Sequence, residues 1–260
     1  MSWLDGLILG ILQAVTEFLP ISSSGHLVIG KALLDLQTPG VVLEVILHLG
    51  TLVSILAFYA KDILNLVRGV FRQDGNEDRK YVLKIVLATL PAVGVGLGFQ
   101  NWIDSRFADS ELIWAVSLSL ILTGVVISST RWCRGKNLHA ISYTTAFVIG
   151  MAQALAIMPG ISRSGLTIAV GLWLGLGRSA AARFSFLMAI PVLAGAGILK
   201  LGEMSSLLLH DLGAILLGFA GSALVGYLMI RWLVVIISRD HFWMFALYCW
   251  PLGILTWILL

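Results

Sequence analysis

Charge is scarce in this sequence: Asp, Glu, Lys and Arg make up 12% of its 260 residues, against roughly 25% in an ordinary soluble domain. Hydrophobic residues make up 58%. That excludes water as the main solvent of the surface and points to a bilayer. Cysteine is nearly absent as well. Cys133 lies between Arg131 and Arg134 and Cys249 lies inside the last apolar run, so both are expected as free thiols. No clustered histidine and thiolate set suggests zinc, and no complete Walker sequence suggests a nucleotide. The net charge is +3 and the pI near 9.0, yet the basic residues form no compact patch, so nucleic acid is not an expected partner. No basic residue precedes the first apolar stretch, Met1 to Gly10, which argues against a cleaved signal peptide.

What remains is long and apolar. Six runs, at about 43–60, 82–99, 112–130, 184–200, 213–232 and 242–259, each reach roughly 27 Å as helix, enough to cross a membrane. Two further stretches do not fit that template. Residues 4–36 are interrupted by Pro20 and Ser22-Ser23-Ser24-Gly25, and residues 142–176 by Pro159-Gly160 and Ser162-Arg163-Ser164-Gly165. Lipid cannot satisfy irregular backbone, so such breaks must be buried in protein or line a wet cavity. Both stretches are therefore expected to be re-entrant helix–loop–helix hairpins.

Basic residues orient the chain. With the segments at 61–81, 131–141, 177–183 and 231–241 placed in the cytoplasm, the inside receives Lys61, Arg68, Arg72, Arg79, Lys80, Lys84, Arg131, Arg134, Lys136, Arg178, Arg183, Arg231 and Arg239. The outside receives Lys31, Arg106 and Lys200, and Arg163 stays within the membrane. This asymmetry is the one that positive-inside insertion produces. It makes the first hairpin enter from outside and the second from inside.

A shift of 140 positions superposes Gly10 on Gly150, Gln13 on Gln153, Ala14 on Ala154, Ile21 on Ile161, Ser22 on Ser162, Ser24 on Ser164 and Gly25 on Gly165. The expected fold is thus one all-α integral membrane domain, residues 1–260. It would hold six transmembrane helices and two re-entrant hairpins, in inverted-topology repeats of about 1–130 and 140–260. In such folds the half-helix N-termini face an anion near the midplane.

The breaks carry the chemistry. Gln13 and Glu17, four apart, share a helix face just before Pro20 ends the helix, and an ionisable residue at membrane depth is a functional candidate by default. Ser22, Ser23, Ser24, Gly25 and His26 follow. One or two of these hydroxyls are accounted for as helix N-caps, but a helix N-terminus with a glycine that permits close approach is also a phosphate site. The second hairpin repeats the turn and puts Arg163 where the first has Ser23. A guanidinium there needs an anion, either Glu17 or a substrate phosphate. A carboxylate, hydroxyls, an imidazole, a guanidinium and two helix N-termini together suit phosphoryl transfer. His48 is read as a helix-packing or interface residue. Trp232, Trp243, Trp250 and Trp257 are read as interface anchors and packing, and Arg178 and Arg183 as cytoplasmic flanks.

At Gln13-Ala14-Val15-Thr16-Glu17, Ser22-Ser23-Ser24-Gly25-His26 and Pro159-Gly160-Ile161-Ser162-Arg163-Ser164-Gly165-Leu166-Thr167 the chain resembles the undecaprenyl-diphosphate phosphatases of the bacitracin-resistance type. The resemblance runs over the whole length. It implies an inner-membrane hydrolase that converts undecaprenyl diphosphate to undecaprenyl phosphate, the carrier of peptidoglycan precursors. Roles in cell-wall biogenesis, cell shape and antibiotic resistance follow, with a site facing the periplasm and a divalent cation, Mg or Ca. It also implies that Glu17, Ser23, His26 and Arg163 are catalytic, with Glu17 a metal ligand. Gln13, Ser22, Ser24, Gly25, Ser162, Ser164, Gly165 and Thr167 would contact substrate. Many relatives have Glu where this chain has Gln13, so Glu17, substrate oxygens and water would have to complete the metal's shell.

Three mechanisms stay open: attack by Ser23 with His26 as base, attack by His26 oriented by Glu17, and attack by metal-bound water. The rival from another class is a lipid-phosphate flippase or anion transporter, because paired broken helices are a transporter architecture. The sequence leaves oligomeric state open, a homodimer included.

Overall fold

In the computed structural model residues 1–33, 42–99, 112–133, 138 and 140–259 are described. Arg106, Arg134 and Lys136, counted above for orientation, lie outside them. The described residues form eleven α-helices and two short 3-10 turns, with no strand beyond a single bridge between Leu138 and Leu176.

Helix α1 (Trp3–Phe18) starts at a capping box in which Asp5 N–H donates to Ser2 Oγ at 3.1 Å and Ser2 N–H donates to Asp5 Oδ2 at 2.7 Å. It stops because Leu19 precedes Pro20 and is extended (φ −64°, ψ 140°), as the proline ring demands of its neighbour. After the turn, in which Ser22 is left-handed (φ 72°), α2 (Ser23–Leu33) begins. The second break follows the same plan. Helix α7 (Tyr143–Leu155) ends before Pro159, Gly160 turns the chain at φ 88°, and α8 (Arg163–Trp173) begins with Ser162 as its N-cap.

Between and after these hairpins run α3 (Val42–Phe58), α4 (Ala60–Phe71), α5 (Asn76–Gly98), α6 (Leu112–Ser129), α9 (Arg178–Leu199), α10 (Leu201–Ser238) and α11 (Ala246–Leu259). Five stretches are long and apolar enough to cross a membrane: 76–98, 113–132, 178–199, 212–238 and 242–259. The span expected at 43–60 is α3, which has 17 residues and meets α4 at a bend of 72°. The segment 61–81, expected as a loop, is α4 and the first turns of α5. Helix α4 is two-sided, with Leu66 and Gly69 buried and Leu64, Val67 and Phe71 exposed. Arg183 of α9 holds it through an ion pair to Asp62 at 2.8 Å and lies over the Tyr81 ring. At the same end Arg178 pairs with Asp240, and Arg131 lies over the Trp243 ring. Cys133 and Cys249 are both free.

Apolar burial gives little drive between helices already in lipid, so close approach through small residues carries the packing. A Cβ on Gly10 would come within 2.1 Å of the Gly218 carbonyl oxygen on α10, and a Cβ on Gly150 within 2.4 Å of the Ala88 carbonyl oxygen on α5. These two glycines are 140 positions apart. Thus α1 lies along α10 as α7 lies along α5, and each hairpin is held with its turn inside the bundle.

Candidate active site

The two turns meet on one carboxylate. Glu17, on the last turn of α1, is 7% exposed. Its Oε1 accepts from Arg163 Nη2 at 2.5 Å, and its Oε2 accepts from Ser23 Oγ at 2.6 Å and from Gln13 Nε2 at 3.3 Å. His48 Nε2 lies 3.4 Å from the same Oε2. Ser23 and Arg163 are the first residues of α2 and α8, so the N-terminal ends of both helices meet Glu17 through their side chains. The anion that Arg163 meets in the structure is therefore Glu17, and the remaining guanidinium contact is Nη1 to the Ser185 carbonyl at 3.4 Å.

The flanking hydroxyls shape the turns. Ser22 Oγ accepts from Gly25 N–H at 3.3 Å and Ser162 Oγ accepts from Gly165 N–H at 3.1 Å, which are matching caps of α2 and α8. A Cβ on Gly25 would press on Ser22 Oγ at 3.2 Å and on Gly160 Cα at 3.4 Å. Ser24 Oγ accepts from Gly160 N–H at 3.2 Å and so ties one turn to the other. Thr123 of α6 adds a second tie, accepting from Ser162 N–H at 3.2 Å and donating to the Gly160 carbonyl at 3.4 Å. Ser164 Oγ donates to the Glu17 carbonyl at 3.2 Å. Thr167 Oγ1 donates to the Arg163 carbonyl at 2.7 Å, with Ser185 Oγ also 2.7 Å away. Each hydroxyl singled out in the sequence is thus a strut of the paired turns, and only Ser23 of the triplet reaches the carboxylate.

The ring nitrogens of His26 have partners other than Ser23. Its Nδ1 is 2.7 Å from the Ser22 carbonyl, which can only accept, so Nδ1 carries the hydrogen. Its Nε2 is 2.9 Å from Tyr248 Oη, and the two rings stack with centroids 5.7 Å apart. The hydrogen-bond partner of the Ser23 hydroxyl is the Glu17 carboxylate.

Four residues escaped the sequence reading. His48, read as a helix-packing or interface residue, lies beside Glu17, and the rule that singles out an ionisable group at membrane depth applies equally to it. It is oriented from behind, since its Nδ1 lies 2.6 Å from the Glu44 carbonyl. Tyr248 is 222 positions from His26, and Thr123 and Ser185 are lone hydroxyls in apolar runs. None of these three carries a sequence signal.

The profile of the bacitracin resistance protein BacA family matches residues 6–255. An undecaprenyl-diphosphatase of Desulforudis audaxviator is 40% identical over 255 residues, covering 98% of this chain and 96% of the relative. Those of Desulfatibacillum aliphaticivorans and Bacteroides thetaiotaomicron are each 37% identical, covering 97% and 96% of both partners respectively. By a match that takes in both turns and nearly every helix, this chain is a member of the bacitracin resistance protein BacA family.

Proposed function

We propose that the protein hydrolyses undecaprenyl diphosphate to undecaprenyl phosphate and inorganic phosphate, returning the lipid carrier to peptidoglycan synthesis and so conferring bacitracin resistance. The observation that carries this reading is the buried carboxylate of Glu17, holding a serine hydroxyl at 2.6 Å and a guanidinium at 2.5 Å where the first residues of α2 and α8 meet. A serine is a weak nucleophile until a neighbour takes its proton, and Glu17 is the group placed to do so. Arg163 and the N–H groups of α2 and α8 receive the diphosphate, with charge-assisted bonds that stabilise its terminal oxygens. When Arg163 turns to the phosphate, the Glu17 carboxylate is left free to accept the Ser23 proton. The Ser23 Oγ–P bond then forms as the bond from phosphorus to the bridging oxygen breaks, and undecaprenyl phosphate leaves. Water attacks the phosphoserine and releases phosphate. In this arrangement His26 and Tyr248 line the site and His48 holds the carboxylate in place. Direct attack by His26 is the alternative that a trapped phosphohistidine would reveal.

The donor set suits a divalent cation. The Gln13 amide turns its Nε2 to Glu17, which leaves its Oε1 buried and without a hydrogen-bond partner among the described residues. Gln13 Oε1 and Glu17 are hard oxygen ligands, and Mg or Ca held mainly through substrate oxygens and water needs few more. When bound, such a cation would offset the charge of the diphosphate.

The same reading takes the chain as one domain of the bacterial inner membrane. Its halves, about 1–130 and 140–260, would be inverted repeats and its site would open to the periplasm. Supporting it are the asymmetry of the basic residues and the matched pairing of α1 with α10 and α7 with α5. Carriage of an anion across the membrane would use Arg163 but has no use for a serine hydroxyl held on a carboxylate.

The test is phosphate release from undecaprenyl diphosphate by the purified protein in detergent, with and without EDTA, for the parent, Arg163→Ala and His26→Ala. Metal-dependent release by the parent, abolished by Arg163→Ala, is the expected result. No release by folded parent protein sinks the phosphatase reading.

A further inference from the structure

An apolar groove of about 450 Å³ lies between α3, α5 and α9, with Val45, Gly96, Leu97, Ile157, Pro191 and Gly195 in its wall. Its volume falls in the range of ligand sites. Its lining comes within two helical turns of residues of the polar site. Val45 is one turn from His48 on α3, and Pro191 is less than two turns beyond Ser185 on α9. Ile157 lies in the turn that leads into Arg163, and the 140-residue shift places it opposite Glu17, so the second hairpin turns an apolar residue where the first turns its carboxylate. Val45 is near the start of α3, while Leu97 and Leu199 are near the ends of α5 and α9, so the groove lies toward one end of the bundle.

Two lining glycines leave room in it. A Cβ on Gly96 or on Gly195 would meet no protein atom within 4 Å.

We infer that this groove holds the first isoprene units of the substrate's tail, an inference that rests on the phosphatase reading above. The tail is bonded to the phosphates, so with the diphosphate on Arg163 its first carbons must leave through protein before reaching lipid. The groove is an apolar cavity that starts one helical turn from His48 and less than two from Ser185. It is too small for an eleven-unit chain, so the remainder lies in the bilayer, and recognition is confined to the units nearest the phosphate.

The test compares farnesyl diphosphate, with three isoprene units, and isopentenyl diphosphate, with one. Parent protein is set beside Gly195→Leu and Gly96→Leu, whose added Cβ atoms enter open space in the groove wall. Gly94→Leu serves as control, being equally open but outside the groove. The parent is expected to favour the longer substrate in kcat/KM. Both groove variants should lower the farnesyl-to-isopentenyl ratio about tenfold or more, and the control should keep the parent ratio. An unchanged ratio in both groove variants overturns the inference and leaves the groove to a bilayer acyl chain. If the parent hydrolyses neither short substrate, the phosphatase reading is judged by release from undecaprenyl diphosphate, and the groove is judged by binding alone. For that, a farnesyl diphosphate carrying a photoreactive tail is crosslinked and mapped. Labels on α5 and α9 that are lost in the leucine variants support the groove, and labels elsewhere overturn it.

Discussion

The two turns are the same device loaded with different chemistry. Both follow a proline, both cap the next helix with a serine that accepts from a glycine three residues on, and both are a Ser-X-Ser-Gly segment. In the first, X is Ser23, the carboxylate is Glu17 and the next turn carries His26. In the second, X is Arg163, and Ile157 and Leu166 occupy the positions of Glu17 and His26. The backbones also part company, since the left-handed residue is Ser22 in one turn and Gly160 in the other. A left-handed non-glycine residue is strained, and Ser22 uses that conformation to aim its carbonyl at His26 Nδ1. The outer serines preserve a shape, while the residue between them assigns each hairpin its task, reactive groups on one side and charge recognition on the other.

That division can be broken at its strongest point first. Arg163→Ala should lower phosphate release about a thousandfold or more, the scale of losing a guanidinium from a phosphoryl-transfer site. Arg163→Lys should fall between, because a point charge replaces a fork. If Arg163→Ala retains more activity than Ser23→Ala, recognition is not the second hairpin's task. Ser23→Ala should cost about 10²- to 10⁴-fold and abolish any burst of phosphoenzyme in a quenched-flow trace. A burst that survives it moves the nucleophile to His26. His48→Ala removes a contact that orients Glu17 and should cost about 10- to 100-fold in kcat; if it does nothing, the carboxylate is held by Arg163 and Ser23 alone. The smallest effects belong to the shared frame. Ser22→Ala and Ser162→Ala should each destabilise the fold by about 1 kcal/mol, the worth of an N-cap, read as equal shifts in a detergent unfolding midpoint. Unequal shifts would mean that the two caps are not equivalent.

Much of this was legible because lipid is a strict solvent. Apolar length marked the spans, and the breaks at Pro20 and Pro159 marked the turns. The four-residue spacing of Gln13 and Glu17 put them on one face, where the structure joins them. Other features hid for physical reasons. In α4 the charges Lys61, Asp62 and Arg68 lower the average hydropathy and mask the stripe of Leu64, Val67 and Phe71. His48 was judged by its sequence neighbours, which are apolar, whereas its spatial neighbour is Glu17. Tyr248 reaches His26 only because the last helix folds back over α6, a contact that no local pattern encodes.

The partners of Glu17 lie far apart in the order of synthesis. Gln13 and Ser23 are made with it, but Arg163 emerges 146 residues later and α10, on which α1 lies, later still. During translation the first hairpin is therefore a carboxylate without its countercharge and a short helix without its bed. Until the second half is made, the first hairpin lacks the two partners that hold its turn inside the bundle. A chain that stops short of Arg163 lacks the guanidinium that meets Glu17.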